Sequence, residues 1–303
     1  MHARLSRNFR EDLVRVYATL RPVAPSAAFL SDLKQVHASL PSASDENLLL
    51  LADCFQKWRE TTRQFVTAHL NELTDDDPLL CPISLFRTMD AGRLEVAHTR
   101  TLAWLLDPRK DEEHGFGSTL MAALLERLAE RDRFDHLDVE KVVSEHPLEA
   151  TGGEGRLDIL STGESRRAGD RSRWMLIIEA KIDAWEGEAQ LNRYDEWIDA
   201  HAAGCETYRV FLTPEGRPPD NGSDEWKALS FLQLVQTFHK VYRNLRAAPG
   251  FQFLRLYLAG VLQDICGFPR KVTPEAPDPF AIASYLQNFR KSRPEHPHHG
   301  DSR

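Results

Sequence analysis

Glu179 and Lys181 close an unbroken apolar run, Trp174-Met175-Leu176-Ile177-Ile178, with only Ala180 between them. A run of this length without Gly or Pro predicts a strand buried on both faces. Side chains alternate along a strand, so the carboxylate and the ammonium leave on one face and Ala180 on the other. A carboxylate there can hold a hard cation and an ammonium can offset negative charge. A strand that simply ends in solvated charge would carry the same residues. Two neighbouring segments bear on the choice. In Gly155-Arg156-Leu157-Asp158-Ile159-Leu160, a second strand-like stretch, Asp158 stands isolated between apolar residues; aspartate is depleted inside strands and there asks for a partner. Downstream, Gln190-Leu191-Asn192-Arg193-Tyr194 opens an amphipathic helix in which Gln190, Tyr194, Trp197, Ile198 and His201 recur at spacings of three and four.

The order Asp, then Glu-x-Lys, then Gln-x-x-x-Tyr resembles the PD-(D/E)xK nuclease superfamily, particularly its RecB-like exonuclease branch. A further stretch, Glu95-Val96-Ala97-His98 with Leu102-Ala103-Trp104-Leu105-Leu106-Asp107-Pro108 and His114-Gly115, is similar to one uncharacterised bacterial family within it. The resemblance covers about residues 90–195 and rests on the order and spacing of short motifs. It implies a nuclease that hydrolyses phosphodiester bonds, most naturally in DNA, with Mg2+ or Mn2+ as cofactor. Such a cation would be held by Asp158, Glu179 and the backbone carbonyl of Ala180, would act as Lewis acid and would lower the pKa of its bound water. By the same resemblance Lys181 orients or helps deprotonate the attacking water, and Gln190 and Tyr194 form a positioning pair. The expectation follows that Glu179→Ala or Lys181→Ala abolishes cleavage and leaves the fold intact.

Other elements must bring further groups to these residues. Asp90 can cap a helix that runs to about Asp107, where Pro108 stops it. Glu95, His98, Leu102 and Leu105 fall on one stripe of it, so both polar residues share a face with inward leucines. A satisfied, half-buried pair would show the same pattern. The resemblance points instead to a metal site, because RecB-like nucleases place an acid or His from an early helix there. Glu95 suits Mg2+ as the harder ligand, and His98 suits Mn2+ or substrate. A second helix is predicted over 117–130, then an alternating strand over 139–145 whose final Glu145 is a further metal candidate, with Glu149 a weaker one. The polar segment 163–173 reads as a hairpin loop between the two chemistry-bearing strands. Its Arg166, Arg167, Arg171 and Arg173 could be solvated or could grip backbone phosphates beside the site. Arg156 reads as a salt-bridge or phosphate contact rather than a catalyst.

The rest of the chain supplies scaffold. Helical spacing recurs over 9–72, at Phe9, Leu13, Val16 and Tyr17, at Phe29, Leu33 and Val36, and in the apolar run 48–51 leading to Phe55, Trp58 and Phe65. Asp75-Asp76-Asp77-Pro78 reads as a solvated turn with a weak cation-binding alternative. Strands are predicted over 207–213 and 226–229 and helices over 231–245 and 251–267, with Gly267 as C-cap. After a Pro-rich break, a short helix over 280–289 precedes a polar tail, expected to be disordered. The fold class is therefore α/β, a restriction-endonuclease-like core with a mixed central sheet flanked by helices, a helical N-terminal region and helical C-terminal additions. Its parts are a helical region at 1–85, the nuclease core at 86–268, and a linker, short helix and tail at 269–303.

The composition, 303 residues with 42% hydrophobic and 28% charged, is that of a globular protein, with ample chain for a core. No apolar stretch approaches the ~20 residues of a membrane span, and the polar start has no h-region, so a cytoplasmic protein without a membrane partner is expected. Four scattered cysteines argue against a zinc site, an iron–sulfur cluster or a disulfide framework. The net charge of −8 neither supports nor excludes nucleic acid as partner, since an acidic nuclease can confine positive charge to one groove. A protein partner or self-association through the N-terminal helices is a further expectation. The alternative to an active nuclease is a catalytically silent nucleic-acid-binding or assembly module of the same fold; the presence of Asp158, Glu179 and Lys181 together favours activity. A role in bacterial defence or DNA processing would follow from the resemblance alone.

Overall fold

The computed structural model describes residues 45–130, 134–148, 155–167, 169–187, 189–273 and 279–291. The predicted stripes at residues 9–36, Glu149 and the tail 292–303 lie outside the described residues. In chain order come helices α1 (Asp45–Leu70), α2 (Glu95–Leu105) and α3 (Gly117–Ala129), then strands β1 (His136–Pro147), β2 (Arg156–Arg167) and β3 (Asp170–Ala180). Helix α4 (Gln190–His201), strands β4 (Cys205–Thr213) and β5 (Trp226–Ser230), and helices α5 (Phe231–Tyr242), α6 (Phe251–Gly260) and α7 (Pro279–Lys291) complete the list.

The strands form one mixed sheet in the order β1-β2-β3-β4-β5. β1, β2 and β3 pair antiparallel, whereas β3, β4 and β5 pair parallel, with α4 as the crossover between β3 and β4. β3 is thus the middle strand, and every residue from Trp174 to Ala180 is buried. That is the position its unbroken apolar run requires, since both faces are covered. On one face α4 packs Leu191, Tyr194, Trp197 and Ile198 against Met175, Ile177 and Phe211. The arrangement is that of a restriction-endonuclease-like α/β core, as expected.

The chain divides into two compact units, Asp76–Lys271 and a second formed by the residues up to Asp75 with those from Val272 onward. In the second, the Trp58 ring of α1 lies 4.4 Å from that of Phe280 on α7. No described helix is long and apolar enough to cross a membrane.

Three local expectations need correction. Asp90 does not cap α2: it closes a 3-10 turn, Arg87–Met89, at a left-handed φ of 52°, and α2 starts after Leu94. Asp77 is not solvated. It is buried, accepts from Leu79 N at 2.9 Å and lies 2.9 Å from His239 Nε2, so it serves as a cap and an internal hydrogen-bond partner. The 163–173 segment is not a loop either. β2 and β3 continue through it to a tight turn at Gly169, held by the ladder despite its polar sequence.

Gly163 shows why that ladder tolerates so little there. β1 carries a bulge between Val139 and Lys141, and β2 approaches it so closely that a Cβ on Gly163 would overlap the Asp138 carbonyl and lie 2.6 Å from Trp174 Cζ2. Neither obstacle is a flexible side-chain end, so the strands would have to separate. Gly163→Ala is expected to lower stability by about 1–3 kcal/mol, read as a lower denaturant midpoint with an unchanged slope.

Candidate active site

The end of β3 and the start of β2 meet because the two strands run antiparallel, with Ile159 opposite Ile178. Asp158 then lies beside Ala180, and its Oδ2 accepts the Ala180 N–H at 2.8 Å. Glu179 is 1% exposed, buried on the α4 side of the sheet. Its Oε1 accepts from Lys181 Nζ at 2.5 Å and from Gln190 Nε2 at 2.7 Å. The alternation that sends Glu179 and Lys181 to one face is therefore realised, and α4 supplies the third member from its first residue.

Gln190 is itself fixed. Its second amide hydrogen goes to Tyr194 Oη at 2.7 Å, its Oε1 accepts from Gly187 N at 3.1 Å, and the Tyr194 hydroxyl donates to the Arg156 carbonyl at 2.6 Å. One relay thus runs from the β2 backbone through Tyr194 and Gln190 to Oε1 of Glu179. The other oxygen, Oε2, is buried and has no hydrogen-bond partner. A buried carboxylate oxygen left bare costs free energy unless a cation or donor meets it.

Glu95 joins from the first residue of α2. Its Oε2 accepts the Ile182 N–H at 3.1 Å, and its Oε1 lies 3.6 Å from Lys181 Nζ. Arg93 fastens the same turn from outside, donating to Asp183 Oδ2 at 2.8 Å and to the Asp264 carbonyl at 2.8 Å. No sequence signal indicated this clasp, because its partners lie 90 and 171 residues apart.

Burial and crowding of charge dominate the electrostatics. Desolvation raises Asp158 to about 6, opposed by the Ala180 N–H and the Lys181 ammonium. Desolvation and then repulsion from Asp158 push Glu179 up to about 8. For Lys181 burial acts downward, but Glu179, Glu95 and Asp158 outweigh it and raise the pKa, so the ammonium stays charged.

The structure does not bring the remaining candidates to this centre. His98 lies one turn beyond Glu95, and a helical turn is about 5 Å. That carries it past the strand end into an aromatic group, 4.6 Å from the Phe86 ring, with Nε2 donating to the Gly92 carbonyl at 2.9 Å. Burial lowers its pKa, so it is a neutral core histidine. Glu145 adopts a left-handed φ of 54°, and its carboxylate is taken by Arg100 Nε at 2.8 Å and by Arg156 at 3.3 Å. Arg156 is accordingly a salt-bridge residue at the rim. Arg166 and Arg171 face each other seven residues along the ladder from the Ile159–Ile178 pair, about 23 Å at ~3.3 Å per residue. Arg171 pairs with Glu164, Arg173 stands opposite Glu164 in the register, and Arg167 stacks 3.8 Å above the Phe134 ring. These four arginines therefore stand at the far end of the sheet rather than beside the carboxylates.

Among the described residues, no three His, Cys, Asp or Glu side chains are grouped as a ready-made metal cluster. The residues at the strand ends nonetheless fit a divalent cation bound partly by water, as Mg2+ prefers. Two carboxylates converge, and the bare Glu179 Oε2 supplies an oxygen that the protein itself leaves unused.

A family model described as the PD-(D/E)XK nuclease superfamily matches residues 84–258, more than half of the chain. The matched span contains Glu95, Asp158, Glu179, Lys181, Gln190 and Tyr194. No curated protein and no solved structure matches the chain.

Proposed function

Because the chain belongs to the PD-(D/E)XK nuclease superfamily, we propose that it is a divalent-metal-dependent nuclease acting on DNA, with its active site at the Asp158–Glu179–Lys181 cluster. The observation that carries this reading is the division of labour on Glu179: Oε1 is locked by Lys181 and Gln190, while Oε2 is buried and bare. A carboxylate held in this way cannot swing to solvent, and its second oxygen faces the space shared with Asp158, where a cation would find both groups.

Asp158, Glu179 and the Ala180 carbonyl would hold Mg2+ or Mn2+, which when bound supplies Lewis acidity at the phosphoryl oxygens and a more acidic water. Lys181 adds fixed positive charge where negative charge develops, and needs no reorganisation because Glu179 and Glu95 already hold it. Gln190 and Tyr194 are positioning residues: they orient Glu179 and tie it to the β2 backbone. Glu95 braces the turn after Lys181 through Ile182 N and helps hold the ammonium. A place in the RecB-like branch accords with the motif order, and a role in bacterial DNA processing or defence would follow from the family alone.

The direct test uses linear duplex, circular duplex, single-stranded DNA and RNA, each with Mg2+, with Mn2+ and with chelator. Cleavage is expected with either ion and not in chelator, and it should disappear in Asp158→Asn, whose amide oxygen can still accept the Ala180 N–H. Equal cleavage in chelator, or an active Asp158→Asn protein, contradicts the assignment. Persistence of the circle while linear DNA is degraded would identify an exonuclease.

A further inference from the structure

We propose that Trp185, backed by Arg217, is a stacking platform for an unpaired nucleobase beside the active site, so that the enzyme favours single-stranded or frayed substrate. The inference rests on the nuclease reading and adds a base-binding subsite to it. Trp185 is 82% exposed, the most exposed large apolar side chain among the described residues. The others, Ile83, Met89 and Leu94, lie on segment 83–94, which is joined to the Trp185 loop by the Arg93–Asp183 ion pair. Leu94 adjoins Arg93, and Trp185 follows Asp183 by two residues. Leu94 and Trp185 thus place exposed apolar surface on both sides of the junction where the two loops meet.

The loop that carries Trp185 is braced on both sides. Asp183 is held by Arg93, and the Glu186 carboxylate accepts from Asp220 N at 2.7 Å and Asn221 N at 3.2 Å. The Arg217 guanidinium sits 5.6 Å from the Trp185 ring centroid and 5.2 Å from that of buried Phe211. One face of the indole is thus backed by a cation anchored on the core, and the other is open to solvent. An aromatic face backed on one side offers a surface for stacking, and the guanidinium beside it, paired with the exposed Asp220 carboxylate at 3.5 Å, can meet a phosphate. Trp185 follows Lys181 by four residues, so its Cα lies within about 14 Å of the lysine, the span of about four nucleotides of a duplex strand. Bases inside a duplex already stack on each other and cannot occupy such a face; an unpaired base can.

The test compares Trp185→Ala and Trp185→Phe in the full chain silenced by Glu179→Gln. Affinity is measured for an oligodeoxythymidine and for a blunt duplex of equal length, at one fixed salt concentration, with and without Mg2+. Trp185→Ala is expected to weaken single-strand binding about 5- to 150-fold and duplex binding little, with Trp185→Phe retaining most of the affinity. Arg217→Gln should weaken the same binding and, in a separate salt titration, make its salt dependence shallower. Metal-dependent cleavage by the parent chain together with single-strand binding unchanged in Trp185→Ala overturns the platform and leaves the nuclease reading standing. No binding of either probe together with no cleavage overturns both. A Trp185→Ala protein that changes its self-association and not its DNA affinity would also overturn the platform, showing a surface for a second copy.

Discussion

Glu179→Gln is expected to abolish cleavage and yet raise the stability of the metal-free protein at neutral pH. The loss of activity should be at least about a thousandfold, because the substitution removes the carboxylate oxygen offered to the cation and half of the charge pair that holds Lys181. Stability moves the other way for a reason visible in the pKa. Glu179 titrates near 4.5 when unperturbed but is pushed up to about 8 by burial and by Asp158. A group whose folded pKa is raised favours folding most while it is protonated; that advantage is complete below about 4.5 and is lost as pH rises towards about 8. At pH 7 the loss is on the order of 1–3 kcal/mol. A glutamine has no proton to lose. Its Oε1 can still accept from Lys181 and Gln190, and its amide can donate towards Asp158.

In chelator, the melting difference between Glu179→Gln and parent should therefore be small near pH 5 and grow towards pH 8. Lys181→Ala should be equally inactive but less stable than parent, since it leaves Glu179 buried without its counter-charge. The cost stays near 1–3 kcal/mol, because Glu179 can escape it by taking up a proton. Combining the two substitutions should recover most of the lost stability. The expectation that Lys181→Ala leaves the fold untouched thus needs amendment. Glu179→Gln melting below parent across the whole pH range, or a Lys181→Ala protein that cleaves normally, would refute the account.

The parts of this site that could be read in the sequence were those governed by short-range periodicity. Five apolar residues in a row required a doubly covered strand, and the sheet places β3 in its middle. The period of two put Glu179 and Lys181 on one face, and the i, i+4 spacing put Gln190 and Tyr194 on one stripe of α4. Periodicity could not say how far along a stripe the chemistry extends. Glu95 and His98 share a helix face, but only the first turn of α2 reaches the Ile182 amide, and His98 falls among Phe86, Phe231 and Tyr257. Polar composition also concealed a strand. Residues 170–173 are exposed on both faces, so no apolar alternation marks them, and the ladder to β2, joined by β4 at Arg173, holds them extended. Long-range ion pairs left no trace either: Glu145 read as a metal candidate because its partner Arg100 sits 45 residues away on another element. The Arg93–Asp183 clasp escaped notice for the same reason.

Adding Mg2+ or Mn2+ should raise the melting temperature of the parent chain, and this effect should depend on the carboxylates of the strand ends. Without a cation, Asp158, Glu179 and Glu95 crowd one ammonium; Asp158 and Glu95 push Glu179 up, and Glu95 pushes Asp158 up. A divalent ion bound between them relieves that repulsion in the folded state and has no preformed site in the unfolded chain. Mass action then stabilises the fold by about 2.7 kcal/mol at a hundredfold excess over Kd. For a unit of this size, at roughly 2–4 °C per kcal/mol, that corresponds to roughly 5–11 °C. Asp158→Asn and Glu179→Gln should each abolish the shift. Glu95→Ala should reduce it only in part, since one oxygen of Glu95 is engaged by the Ile182 N–H and its charge acts mainly on Lys181. His98→Gln should leave the shift intact, because the histidine ring contacts Phe86 and the Gly92 carbonyl rather than the carboxylates. A shift of full size in the Asp158→Asn, Glu179→Gln double variant would show that the ion binds elsewhere on the protein. Loss of the shift in His98→Gln with the parent's metal-free melting temperature would restore that histidine to the metal centre.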